Sequence, residues 1–424
     1  VRDPVFFWNC GDRVLVAKWP NQTPNRWDVV VFKYPKTPVE NSVPMNYIKR
    51  LTGLPGETIA ILEGDLYVAN DPIDYSDQRQ PTREEDRWDK SFMYINALNA
   101  QEAFRAGKFT ILRKPPAEIL AMMRLVYDND KQAGDLVGVI PPRWQGDAGW
   151  KPNDEKKPTS FTSIGDGEHW LRYRHIWVDH GSQLPRPNAN VEPKFINNMM
   201  GYNFIDTPRV MKFDEDKYWV GDLILEANVD VTSKQGELIF ELSRGKERYQ
   251  AVFNLATGEC TLWRHRAVSQ EKLNDAAPAI LTTGRHSIRF ANVDQRLVVW
   301  VDNKLIFRDG VDYVGDRGAG PDEVNDKQPA SIGVRGGARV TVSGLKLFRD
   351  TYYTAPNSER IKAPGEADMT MYIQPGHYLC MGDNSTQSSD GREWGSVPER
   401  LMLGRAVMVY FPVWPFAPRF GPIR

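Results

Sequence analysis

Cysteine is nearly absent from this sequence: Cys10, Cys260 and Cys380 are the only three in 424 residues. Their odd number and wide separation exclude a disulfide framework and any CxxC metal knuckle, so stability must come from packed cores. An excess of one charge is also lacking, with 54 Lys and Arg against 55 Asp and Glu. No overall basic field draws in nucleic acid, which is not expected as a partner. Long apolar runs are missing too. The best candidate, residues 406–411, stops at Pro412, well short of the roughly 18 to 20 residues of a membrane-crossing helix. The six histidines include no HExxH pair, and His169, His175 and His180 do not fall on one side of a helix, so no zinc site is expected. Asp128-Asn129-Asp130 opens like a calcium loop but lacks its glycine and terminal glutamate, and reads as a solvated turn. Neither metal nor cofactor is expected.

What is present is β-patterning. Arg13 to Lys18, Asp28 to Tyr34 and Tyr47 to Leu51 are rich in β-branched and aromatic residues and bounded by turn formers; Thr58 to Leu62 and Asp65 to Val68 form a hairpin across Glu63-Gly64. From about residue 71 to 203 the pattern is mixed, with prolines, a helix starting at Pro115-Pro116 and carrying Ile119, Leu120, Met123 and Leu125, and another over Tyr94 to Ala106. Trp144, Trp150, Trp170 and Trp177 read as core or interface packing there. Between about 204 and 350 the alternation returns as nine short strands with turns such as Asp302-Asn303. Around Val299 to Leu305 this stretch resembles the concanavalin-like or laminin-G-like jelly rolls. The final segment resumes the style of the first. The expected fold is mainly β: a discontinuous domain from residues 1–70 and 365–424, a mixed α/β insertion over 71–203, a jelly-roll sandwich over 204–350 and a linker over 351–364.

Two distant patterns carry chemistry. The first, Asn46-Tyr47-Ile48-Lys49-Arg50-Leu51-Thr52-Gly53-Leu54-Pro55-Gly56-Glu57, puts a lysine in an apolar strand before a rigid turn. Such a lysine either faces solvent or, if sheltered, loses hydration of its ammonium and becomes a general base. The second runs Met381-Gly382-Asp383-Asn384-Ser385-Thr386-Gln387-Ser388-Ser389-Asp390-Gly391-Arg392-Glu393-Trp394-Gly395-Ser396-Val397-Pro398, a polar loop that alone reads as a solvated turn. Together they resemble the type I signal peptidases, whose strand-and-turn "YIKR..GLPG" and distal "GDN....S.D.R.WG.VP" they match almost position for position. The resemblance covers about 130 residues, including Gly11 to Val16, Asp28 to Pro35 and Leu403 to Ala406.

That resemblance implies a Ser/Lys-dyad endopeptidase, outside the cytoplasmic membrane and anchored through an upstream segment, cleaving signal peptides from exported preproteins. It makes Lys49 the general base and Ser388 the hydroxyl that orients it. Asp390 and Arg392 form a loop-holding ion pair supported by Asp383 and Asn384, while Val14, Asn46, Tyr47 and Ile48 contact substrate. Trp27 stands where the family usually has glycine, and no serine precedes Ser42. The chain opens on Val1 rather than Met, so a processed or trimmed natural N-terminus is expected. Three readings of the nucleophile stand: a serine upstream beyond a further insertion, a nucleophile-less relative, or another residue such as Cys10. The alternative function is an inactive peptidase-like scaffold presenting the sandwich to a glycan or protein, for which Trp263, Trp300 and Tyr249 are candidate stacking surfaces, though core packing is the ordinary reading. The sequence offers no convincing carboxylate pair for sugar hydrolysis.

Overall fold

A computed structural model describes residues 13–18, 23–34, 45–69, 83, 88–93, 97–176, 191–198, 218–279, 281–316, 320–355, 369–385, 388–411 and 421–423. Cys10 and His180 lie outside them. The chain divides into two compact units, residues 1–112 with 353–424, and 113–352. It is mainly β, and every paired strand in its four sheets is antiparallel.

In the first unit, one sheet runs in the order Arg13–Ala17, Met402–Phe411, Val29–Lys33, Asn46–Gly53, His377–Met381, Val397–Pro398. The two chain ends therefore interleave, because strands from before and after the intervening residues alternate in one hydrogen-bonded ladder. A second sheet orders Met369–Tyr372, Thr58–Leu62, Asp65–Ala69 and Phe109–Ile111. Its central hairpin turns on Glu63 and Gly64 at φ 53° and 89°, the left-handed pair that a two-residue hairpin requires. The helix Ala97–Arg105 supplies Ala103 and Phe104 to a small core with Tyr67, Phe109 and Ile111.

The second unit is a two-sheet sandwich. One sheet has the order Ser269–Lys272, Glu259–Arg266, Glu247–Asn254, Glu237–Arg244, Ala330–Arg335, His169–Tyr173, Trp144–Gly146; the other centres on Gly284–Val293, Leu223–Val231 and Val340–Arg349. Leu225, Phe240, Phe253, Phe290, Ile332 and Val342 meet in the core between them, each 0% exposed. Burying a side chain of this size contributes ~1.5–3 kcal/mol. The sequence predicts a separate mixed segment over 71–203; among the described residues, Arg124–Asp128, Trp150–Pro152 and Ser160–Ser163 join one sandwich sheet, while Trp144–Gly146 and His169–Tyr173 join the other. Trp144 and Trp150 are core residues. The helix Pro116–Met122 begins on the expected prolines and lays Ile119 against Ile224, Ala291, Val298 and Trp300. Tyr249 and Trp300 are thus packed inside, whereas Trp263 is half-buried. Asp128 accepts from the Asp130 backbone N–H at 3.1 Å, forming a local turn. His169 Nδ1 lies 3.0 Å from Asp147 and His175 Nδ1 3.0 Å from the Tyr173 hydroxyl, so the two rings serve different local contacts.

Candidate active site

Strand alternation places Tyr47, Lys49 and Leu51 on one face of Asn46–Gly53, with Ile48 and Arg50 on the other. Lys49 pairs across the sheet with Val30, and Leu51 with Cys380. Val30, Phe32, Leu51, Cys380 and Trp394 form an apolar cluster against which Tyr34 and Tyr47 pack. Lys49 stands at its margin, half-buried, with Nζ 5.9 Å from the Tyr47 ring centroid and 2.8 Å from Ser388 Oγ. Burial, the largest influence, pulls the lysine below its ordinary value by disfavouring the ammonium; Asp390 opposes this and Arg392 adds to it. The Ser388 hydroxyl gives the amine lone pair a fixed direction.

The loop carrying Ser388 is held from beneath by a buried ion pair. Asp390, 0% exposed, accepts from the backbone N–H groups of Gly382 (2.8 Å) and Arg392 (3.1 Å) and from the Arg392 guanidinium at 2.9 and 2.6 Å. Arg392 also donates to the carbonyls of Thr354 (2.7 Å) and Ser385 (2.9 Å) and to the Ser385 hydroxyl. A buried pair is tolerable only when its remaining donors and acceptors are satisfied, which these bonds accomplish. Gly382 is required by close approach: a Cβ there would overlap Ser388 Oγ and come within 3.4 Å of Lys49 Nζ.

On the opposite face Arg50 donates to both carboxylate oxygens of Asp383, at 2.9 Å each, and to the Trp27 carbonyl at 2.9 Å. Asp383 therefore ties the loop to the lysine strand, while Asn384 Oδ1 is buried with no hydrogen-bond partner among the described residues. Trp27 adopts φ 76°, the glycine-like conformation, and is buried, its N–H donating to Leu51 O at 2.7 Å. A bulky residue there is strained by roughly 1–2 kcal/mol, which the buried indole and the two backbone contacts offset. Ile48 is 44% exposed on the face opposite Lys49. Val14 lies on Arg13–Ala17, separated in the sheet from Asn46–Gly53 by two strands. Arg50 and Gly382 escape a reading of the sequence for reactive groups. Their signals were the alternation that sends Arg50 to the face opposite Lys49, where it needs an anion, and a glycine beside a crowded loop.

The half-buried Lys49 thus lies against a serine hydroxyl within a β-sheet unit, and sequence comparison finds a signal-peptidase-like region over the same strands. A family profile described as "Signal peptidase, peptidase S26" matches residues 8–122 and 329–411. The chain is 29% identical over 69 residues to a signal peptidase I of Buchnera aphidicola (16% of this chain, 19% of that protein). It is 34% identical over 85 residues to the probable signal peptidase I-2 of Synechocystis (19% and 32%). It is 40% identical over 53 residues to mitochondrial inner membrane protease subunit 1 of Mus musculus (12% and 30%). The chain thus spans a third or less of each relative's own length. The chain ends contain a type I signal-peptidase-like region. Among solved structures the chain is similar to carbohydrate-binding module CBM66 of Bacillus subtilis (9% identity, 48% of this chain, 94% of that one, TM-score 0.30). It is also similar to galectin LEC-6 of Caenorhabditis elegans (11%, 30% and 83%, TM-score 0.23).

Proposed function

We propose that the first unit is the catalytic part of a serine endopeptidase in which Lys49 is the general base and Ser388 its positioning residue, acting on signal peptides of exported preproteins. The observation that carries this reading is the 2.8 Å contact between Lys49 Nζ and Ser388 Oγ in a partly dry site. The neutral amine takes the proton of the attacking serine hydroxyl as the serine oxygen bonds to the scissile carbonyl carbon; the resulting ammonium then protonates the leaving amine as the C–N bond breaks. Water, deprotonated by the same amine, hydrolyses the acyl-enzyme. This reading requires a nucleophilic serine hydroxyl within reach of Lys49 Nζ and a membrane anchor that holds the unit on the extracytoplasmic side. Among the described residues no helix is long and apolar enough to cross a membrane.

Substrate recognition follows from strand pairing. Asn46–Gly53 pairs with Val29–Lys33 along residues 46–50, but with His377–Met381 only at Arg50, Leu51 and Gly53. Among the described residues, Asn46 to Lys49 therefore offer an unpaired edge beside the amine, onto which an extended peptide adds as a strand. Tyr47 borders the bound strand on the lysine face and Ile48 on the opposite face, whereas Val14, beyond two intervening strands, lies away from this edge and drops out of the expected substrate contacts. The test is cleavage of a preprotein by the chain extended upstream. Lys49→Ala is expected to lower kcat/KM by about 10²–10⁴, and equal cleavage by this variant would remove Lys49 from the mechanism.

A further inference from the structure

The chain returns to the first unit at Tyr353, and the residues of its return are bonded into the support of the candidate site. Tyr353 is 1% exposed, and its backbone N–H donates to the Gly64 carbonyl at 3.0 Å in an antiparallel bridge, which anchors it on a hairpin turn. Its ring centroid lies 5.8 Å from the Arg392 guanidinium carbon. Thr354 donates its backbone N–H to Ser385 Oγ at 2.8 Å and accepts at its carbonyl from Arg392 at 2.7 Å. Ser385 Oγ also accepts from Arg392 and has Thr354 Oγ1 at 3.5 Å.

A guanidinium carries five N–H donors in a fixed plane. In Arg392 two go to Asp390, one to the Thr354 carbonyl, and one each to the hydroxyl and the carbonyl of Ser385. Three of the five therefore fix the plane from the Thr354 and Ser385 side, and the other two grip the carboxylate. Asp390 Oδ2, which accepts from Arg392 at 2.6 Å, also accepts from the Gly382 N–H at 2.8 Å. Gly382 leaves no slack, since a Cβ there would stand 2.0 Å from Ser388 Oγ and 3.4 Å from Lys49 Nζ. A shift that begins at Ser385 thus passes through Arg392, Asp390 and Gly382 to the lysine. Water does not readily replace a lost bond here, because Thr354 and Ser385 are each 8% exposed, Arg392 2% and Asp390 0%.

We propose that Ser385, held between Thr354 and Arg392, is a positioning residue for Lys49, so that the segment returning at Tyr353 and Thr354 forms part of the catalytic loop's support. This role rests on the reading of Lys49 as general base. Ser388 touches the amine, whereas Ser385 acts on it through the buried ion pair. Loss of the Ser385 hydroxyl strands one Arg392 N–H and the Thr354 N–H, lets the guanidinium turn from Asp390 and loosens the loop over Lys49. Burial and Arg392 pull the Lys49 pKa down, while Asp390, Asp383 and Cys380 pull it up. A looser loop and a weaker hold on Arg392 therefore both move it up, toward 10.5.

The experiment follows the Lys49 side-chain carbon resonances through a pH titration of the folded chain, unaltered and as Ser385→Ala, alongside denaturant unfolding. The expected result is a midpoint that moves up toward 10.5 in Ser385→Ala. Preprotein cleavage by the upstream-extended chain slows about tenfold or more, the scale of a lost hydrogen bond to a charged group, and its alkaline limb moves in the same direction. Should Ser385→Ala fail to fold, Ser385→Cys, which nearly keeps the volume but offers only a weak acceptor, carries the same test. An unmoved midpoint overturns the proposal even if the variant is less stable, since a purely structural serine would cost stability alone. Equal cleavage by Lys49→Ala overturns the base assignment instead; the titration needs no activity and judges Ser385 separately.

Discussion

One amine and its surroundings set the chemistry proposed here. Lys49 was legible as a candidate base because a lysine beside Ile48 and Leu51 is unusual, yet its strand alone could not say which way it faced. The answer depends on Val30 and Cys380, whose neighbours in space lie far away in the chain. Arg392 and Asp390 were legible as a pair, but the carbonyls of Thr354 and Ser385 that complete the arginine's bonding were not, since no pattern links them. At this scale the account expects Gly382→Ala to displace Ser388 and abolish cleavage by the upstream-extended chain while the unit stays folded. Activity near that of the unaltered chain would show that the close approach is not needed. Because burial depresses the Lys49 pKa, the neutral base accumulates as pH rises through a value below the ordinary 10.5. The rate should therefore climb on an alkaline limb whose midpoint lies under that of a free lysine, and Ser388→Ala should lower kcat more than it raises KM.

Elements add constraints that single residues do not. The loop from Gly382 to Arg392 folds over a buried charge pair, and removing one partner leaves the other uncompensated. Arg392→Met is expected to destabilise the first unit by about 3–5 kcal/mol, measured by denaturant unfolding; a change under about 1 kcal/mol would mean that the pair is dispensable. Hairpins such as Asp302-Asn303, at φ 52° and 63°, were readable because their turn chemistry is local. Nine of the twelve strands described within residues 204–350 were likewise readable from alternation, with ends shifted by a residue or two, except that Leu305 to Arg308 breaks off after Lys304–Leu305; Ser269–Lys272, Ala277–Pro278 and Val311–Asp312 were not. Trp144–Gly146 and Trp150–Pro152 were not, because three residues are too short for a period to register and their strand character comes from the sheets they extend.

Across the whole molecule, the interleaving of the two chain ends in one sheet explains how a long intervening stretch is accommodated: the peptidase-like ladder needs only that strands flanking it meet. The second unit closes its own ends with buried charges, for Lys114 Nζ lies 2.6 Å from Asp294 and 2.8 Å from Asp350, near the first and last residues of the unit. Lys114→Met should cost the second unit about 3–5 kcal/mol, seen as loss of its unfolding transition midpoint while the first unit's is retained. Burial pushes two carboxyls of this unit, Asp350 and Asp326, up to about 6. In the unfolded chain such groups release their protons near 3.8, so between about pH 4 and 6 these two groups hold more protons when folded and their contribution to stability falls as pH rises, levelling off above 6. A thermal unfolding midpoint higher at pH 4.5 than at 7.5, with the difference reduced in Asp326→Asn, checks the sign.

The central claim, a lysine whose ammonium form is disfavoured by shelter and which a serine hydroxyl orients, is tested most directly by following the Lys49 side-chain carbon resonances through a pH titration of the folded chain. The account predicts a midpoint below 10.5 that moves when Ser388 is replaced by alanine. A midpoint at or above 10.5, indifferent to Ser388→Ala, would contradict it.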